Sequence, residues 1–224
     1  ELFHGCGAVD SQGKKALFYA SSPAGVTWFC AQPGADVDQA VVESCGRLTP
    51  LLQAAMLRNT GLVRAFLAAG ANPLATMDTK RGPMRLSERH GWNAIHCAVP
   101  FRRFGTVNEK QWRSARDTIE AILDYVDDDQ RRVLLTAPEA DVAPLAHVLN
   151  VSGDLKTVNC LKSYMTTDAR TQEELDTTLH IAAVNTCQAD TVDSLLAAFP
   201  ESAYSENVRG VTPREAAPPK VTSG

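Results

Sequence analysis

The chain has few of the features that announce chemistry. Its six cysteines, Cys6, Cys30, Cys45, Cys97, Cys160 and Cys187, are widely spaced, with no C-x-x-C pair and no closely set Cys and His clusters of the zinc-finger kind. That spacing argues against a zinc finger or a dithiol redox motif, and it fits a reduced, cytoplasmic compartment. No apolar run reaches the roughly 20 residues of a membrane span, and no charged, apolar, small-residue leader opens the chain. The patterns G-x-x-x-x-G-K-S/T, G-x-G-x-x-G, H-E-x-x-H and G-x-S-x-G are absent, which removes the usual nucleotide, zinc-protease and nucleophile-elbow signatures. Asp127-Asp128-Asp129 lacks the Gly and distal Glu of a calcium loop. Neither a metal nor an organic cofactor is expected. Positive charge is also scarce: 22 Lys and Arg against 26 Asp and Glu give a net −4, so no general attraction to nucleic acid or to an anionic membrane follows.

What is present is hydrophobic content and a period. With 224 residues, 44% of them hydrophobic, the chain can bury a core without disulfides or metal. A short apolar pattern ending in Ala recurs as Lys15-Ala16-Leu17-Phe18-Tyr19-Ala20, Thr49-Pro50-Leu51-Leu52-Gln53-Ala54 and Asn93-Ala94-Ile95-His96-Cys97-Ala98. Later copies are Ala143-Pro144-Leu145-Ala146-His147-Val148, Thr177-Thr178-Leu179-His180-Ile181-Ala182 and Thr212-Pro213-Arg214-Glu215-Ala216-Ala217. Their first residues stand 34, 44, 50, 34 and 35 apart, three spacings near one value and two carrying insertions. Thr before Pro supplies a cap followed by a residue whose fixed φ suits a first helical turn. Apolar residues then recur at three- and four-residue spacing, as in Leu62, Val63, Phe66 and Leu67, or Ile119, Ile122, Leu123 and Val126. One such stripe cannot be covered within a single unit, so adjacent units must stack.

These copies resemble the ankyrin repeat, whose T-P-L-H-x-A signature and period of about 33 residues mark a β-turn followed by two antiparallel helices. The second half of the unit agrees: Gly61 to Pro73 reads as an outer helix closed by Gly70 and followed by the turn Ala71-Asn72, and Gly34-Ala35-Asp36 repeats that turn. The resemblance covers residues 13 to 217 and implies an all-α solenoid of five to six irregular repeats with β-turn or hairpin fingers. Units are expected to start near 13, 47, 91, 141, 175 and 210, after a linker or cap over 1–12 and before a tail over 218–224. Arg214 and Glu215 replace the motif's Leu and His, as suits a terminal repeat facing water. The segment from Asp127 to Val142 holds the apolar run Val133-Leu134-Leu135 and reads either as an extra helical turn or as a long finger.

The resemblance implies a module that binds a protein through its loops and concave face, acting as a monomer and not itself as an enzyme. His96 and His180 fall on the signature His, where the imidazole ties neighbouring turns together, whereas His147 sits one place later and is expected at the surface. Adjacent residues on a helix point about 100° apart, so His96 is wrongly placed to serve Cys97 as a base. Cys160 and Cys187, amid apolar residues, read as small hydrophobes rather than nucleophiles.

The two insertions carry the candidate contact residues: Lys80, Arg81, Arg85 and Arg89 in the first, and Phe101, Arg102, Arg103 and Phe104 in the second, running on to Lys110, Trp112 and Arg113. Residues 78 to 116 hold nine Lys or Arg against three acidic residues, a local +6 that leaves −10 for the remainder. Such polarity steers an acidic partner surface, and Arg and Trp dominate binding hot spots. The chain opens on Glu1 without an initiator Met, as an excised fragment would. The alternative reading is therefore the substrate-recruiting C-terminal part of a larger enzyme, with catalysis outside these residues. The irregular repeats are similar to those of bacterial effectors delivered to the host cytosol, including arginine ADP-riboxanases whose ankyrin module selects caspases. If the basic insertions bind, the double reversal Arg102→Glu/Arg103→Glu will reduce the protein retained from cytosol at low salt while leaving helical circular dichroism unchanged; equal retention would reject that surface.

Overall fold

In a computed structural model of the protein the described residues are 14, 16–43, 46–78, 90–100, 107–137, 140, 142–151, 154–166, 176–185 and 187–217. They form a 3-10 helix, Ala16–Tyr19, followed by α1 (Pro23–Cys30), the short strands β1 (Val41–Glu43) and β2 (Gly46–Leu48), α2 (Pro50–Met56) and α3 (Thr60–Ala68). Then come α4 (Ala94–Ala98), α5 (Glu109–Leu123), α6 (Asp128–Thr136), α7 (Pro144–Val151), α8 (Leu155–Ser163), α9 (Thr178–Val184) and α10 (Ala189–Ala198). A second 3-10 helix, Pro200–Tyr204, and the short α11 (Pro213–Ala216) complete the order.

Local chemistry explains where the helices start. The side chains of Ser22, Thr49, Asn59, Asn108, Asp127, Asp154 and Thr177 each accept a backbone N–H of the first turn. Pro23, Pro50 and Pro213 sit in the first turn, where a missing N–H is harmless. Gly70, at φ 88°, ends α3 in the left-handed region that its missing Cβ permits.

The helices pack in two rows. The first 3-10 helix, α2, α4, α7, α9 and α11 lie side by side in an inner row, while α1, α3, α5, α8 and α10 form an outer row, each pair packed as a hairpin. Neighbouring units share one continuous core that includes Leu51, Phe66, Ile95, Ile122 and Leu145. Small residues such as Ala54, Ala55 and Ala98, all buried, let the inner helices approach. The units are further tied at their turns. β1 and β2 form an antiparallel hairpin, and Arg47 N–H donates to Asp78 O at 2.8 Å, joining it to the next turn. Met77 and Gly91 close the base of that next turn, Met77 N–H donating to Trp92 O at 2.8 Å. The Asp38 carboxylate accepts from Asn72 N–H at 2.9 and 3.0 Å, and Asn207 Nδ2 donates to Asp176 Oδ1 at 2.8 Å.

Two expectations change here and one open reading is decided. The first inner element is a 3-10 turn rather than an α-helix. Val133-Leu134-Leu135 belongs to a helix, α6, which buries Leu134 and Leu135 against the stack and leaves Val133 outside. Trp112, expected at the binding surface, is only 4% exposed, because Trp112, Ala115, Ile119 and Ile122 form the stripe by which α5 meets the core. Leu51 is fully buried between units, so Leu51→Ala is expected to lower the unfolding free energy by about 2–5 kcal/mol in urea titration; an unchanged midpoint would be inconsistent with its place in the core.

Candidate partner-binding face

The candidate contact residues divide by location. Lys80, Arg81, Arg85, Arg89, Phe101, Arg102, Arg103 and Phe104 lie outside the described residues. Lys110 and Arg113 are exposed on α5, in the outer row. Arg116, counted in the basic stretch, is committed elsewhere: its guanidinium donates to Asp154 Oδ2 at 3.0 Å and to Glu109 Oε1 at 2.9 Å, fastening α5 to the start of α8. Lys156 joins the same cluster at 3.1 Å from Glu109. Hydrogen bonds from Lys156 and then Arg116 hold the Glu109 carboxyl below its ordinary range. Asp154 meanwhile caps α8 through Thr157 N–H at 2.9 Å. These charges fasten neighbouring repeats to each other, with Arg116 and Asp154 largely covered.

A second set of residues was not singled out by sequence. At the ends of the inner elements three large apolar side chains stand in solvent: Tyr19 is 59% exposed, Leu57 64% and Val184 57%. Leu57 directly follows the last residue of α2, while Val184 and Tyr19 are the last residues of α9 and of the first 3-10 helix. Asn150 holds the neighbouring position on α7, where its Oδ1 accepts from Asn185 Nδ2 at 2.8 Å. That bond joins the ends of α7 and α9.

Behind this row the inner helices are held by two imidazoles. His96 Nε2–H donates to Val142 O at 2.7 Å while its Nδ1 faces Asn93 N–H at 3.4 Å; His180 repeats the arrangement with Val211 O at 2.8 Å and Thr177 N–H at 3.1 Å. Each histidine therefore caps its own helix with one nitrogen and grips the next unit's turn with the other. Trp92 stacks on His96 at 5.8 Å and meets His147 edge-on at 4.6 Å. His147, expected at the surface, is thus buried in the seam between α4 and α7, with its ring against Trp92. Burial, opposed by the Val142 bond, pushes the His96 pKa down to about 4.

The thiols are placed for packing. Cys97 lies in the core with Sγ 3.6 Å from Met77 Sδ. Burial, with Glu120 beside it, pushes the Cys160 thiol up to about 12, so it carries no thiolate at neutral pH. Among the described residues no group of three His, Cys, Asp or Glu side chains is gathered to hold a metal, and no helix is long and apolar enough to cross a membrane.

Comparison with known proteins separates sequence from shape. No protein-family model matches the chain, and no curated protein matches it. Among solved structures it is similar to the crystal structure of the human ASB11 ankyrin repeat domain, with a TM-score of 0.60 over 96% of this chain and 82% of that one. The fold is an ankyrin-repeat solenoid. At 21% identity the likeness carries the fold alone, and the partner must be read from this chain's own ankyrin surface.

The buried imidazole makes the solenoid acid-sensitive. With a native His96 pKa near 4 against the usual 6.5, an unfolded chain takes up a proton that the folded one refuses, so stability is whole above pH 6.5 and falls as pH drops toward 4. The loss attributable to His96 is on the order of 3 kcal/mol. In urea unfolding, the gap between wild type and His96→Gln should narrow steadily from pH 7 to pH 4.5; a constant gap would contradict a neutral, buried His96.

Proposed function

We propose that this ankyrin solenoid is a protein-binding module that engages its partner along the inner-helix ends, with the basic insertions drawing an acidic surface of that partner alongside. The observation that carries this reading is the row of Tyr19, Leu57 and Val184. A solenoid buries its apolar residues between units, so large apolar side chains left in water near the ends of inner elements of separate repeats mark a contact surface, although they stand at the fifth, ninth and eighth places of their motif copies. Their spread across the first, second and fifth units suits an extended partner surface better than a small molecule. The +6 of residues 78 to 116 supplies the steering charge, less the Arg116 contribution already paired with Glu109 and Asp154.

In this reading the chain binds as a monomer, in the cytoplasm, and performs no chemistry itself. The recruiting alternative makes the same demand on the surface and adds only that the captured protein is a substrate for catalysis outside these residues, as in an effector that modifies a host caspase.

The test uses a photo-crosslinking amino acid placed at Leu57, at Val184 and, as control, at the exposed outer-row residue Arg64. The first two positions should crosslink the same protein, in a manner weakened by salt, and Arg64 should not. Equal crosslinking from all three, or different proteins at Leu57 and Val184, would overturn the proposed face.

A further inference from the structure

A separate surface lies at the far end of the stack. In the five earlier units the third residue of the motif is a buried apolar knob, namely Leu17, Leu51, Ile95, Leu145 and Leu179. The sixth unit has Arg214 at that place, and Arg214 is exposed. The apolar space that a leucine would help fill is left as an open cavity of about 390 Å³ between α9, α10 and α11, lined among others by Leu179, Cys187, Val192, Leu196 and Ala203. Leu196 is 37% exposed there. In the rest of the stack a face of this kind is covered by the next unit's outer helix.

Over this apolar floor stands one cation. Arg214 makes no ion pair among the described residues, and it lines the cavity. The carboxylate beside it, Glu215, is taken by the helix start: it accepts from Thr212 N–H at 2.9 Å and from Thr212 O–H at 2.8 Å, bonds that hold its carboxyl below the ordinary range. The site therefore presents an apolar trough with an uncompensated guanidinium at its rim.

We propose that this cavity docks an amphipathic helix of a partner protein, whose apolar stripe fills the trough and whose Asp or Glu pairs with Arg214. Other occupants fit the charge less well. Residues 218–224 carry Lys220 and no Asp or Glu, and they open with Pro218-Pro219, which cannot continue a helix. A second copy whose own cavity faced this one across a two-fold axis would set Arg214 near Arg214. The inference is independent of the inner-row face, and either can fail alone.

Cys187, half-buried in the cavity wall, reports occupancy. The probes are two synthetic helices of Leu, Ala and Gln, one bearing a Glu beside its leucine stripe and the other a Lys. Alkylation at Cys187 is followed by mass spectrometry, with Cys30 at the opposite end as internal reference. The Glu helix should slow alkylation of Cys187 but not of Cys30, and should bind more tightly than the Lys helix by on the order of two- to fivefold, as an exposed ion pair allows. Arg214→Glu should invert that preference. The proposal is overturned if neither helix protects Cys187, if the preference survives Arg214→Glu, or if raising the chain concentration alone protects it, which would assign the cavity to a second copy. It is equally overturned if Val221→Asp speeds alkylation without any helix, which would assign it to the chain's own tail.

Discussion

A helix hairpin of this size has apolar residues on both sides and can cover neither by itself. Burying one Leu contributes roughly 1.5–3 kcal/mol, and in this chain Leu51, Leu145 and Leu179 reach burial only because the next hairpin lies against them. Everything else follows from that dependence. The helices must be offset to present matching faces, the turns must register, and the polar groups at each seam must find partners in the neighbouring unit. His96 and His180 meet the last demand, each satisfying its own helix start and a carbonyl in the following turn. An unmet buried carbonyl would cost about 1–3 kcal/mol, so these bonds set the register that the apolar contacts alone leave soft.

The same logic explains which parts were legible from sequence. The motif and the spacing of its copies were visible because stacking imposes identical demands on every unit, and the two signature histidines could be read as seam ties for that reason. Trp112 was misread because its neighbours in sequence are basic, although its spacing to Ala115 and Ile119 marks the buried stripe of α5. His147 was misread because its burial depends on Trp92, a residue of the preceding unit, and no periodicity within one helix reports a ring contact across a seam. Helix α6 stayed ambiguous because only Leu134 and Leu135 of its nine residues are buried. The exposed Tyr19, Leu57 and Val184 were overlooked because attention to charge drew the search toward the insertions, and helical spacing does not mark them: Val184 stands three and four residues after the buried Ile181 and His180.

Charge in this chain has two uses, and geometry distinguishes them. Arg116, Glu109, Asp154 and Lys156 form a cluster across α5 and α8, partly withdrawn from water and hydrogen-bonded to a helix start. Lys110, Arg113 and Arg214 stand in solvent instead. A count of basic residues along the sequence merges these groups, and only their partners separate a charge that fastens two repeats from one that can meet another molecule.

Helix α6 shows how such a chain tolerates change. It is added between α5 and the turn that leads to α7, yet it leaves the two rows unbroken. Arg131 secures it by donating from Nε and Nη2 to Leu123 O at 3.1 and 3.0 Å and from Nη2 to Val126 O at 3.1 Å, which satisfies carbonyls that the end of α5 leaves open. Because each repeat answers only to its neighbours, an added segment need satisfy only the seam it enters, and its disturbance stops there. Lineages of this architecture can therefore acquire new appendages one joint at a time, keeping the rest of the molecule as an unaltered chassis.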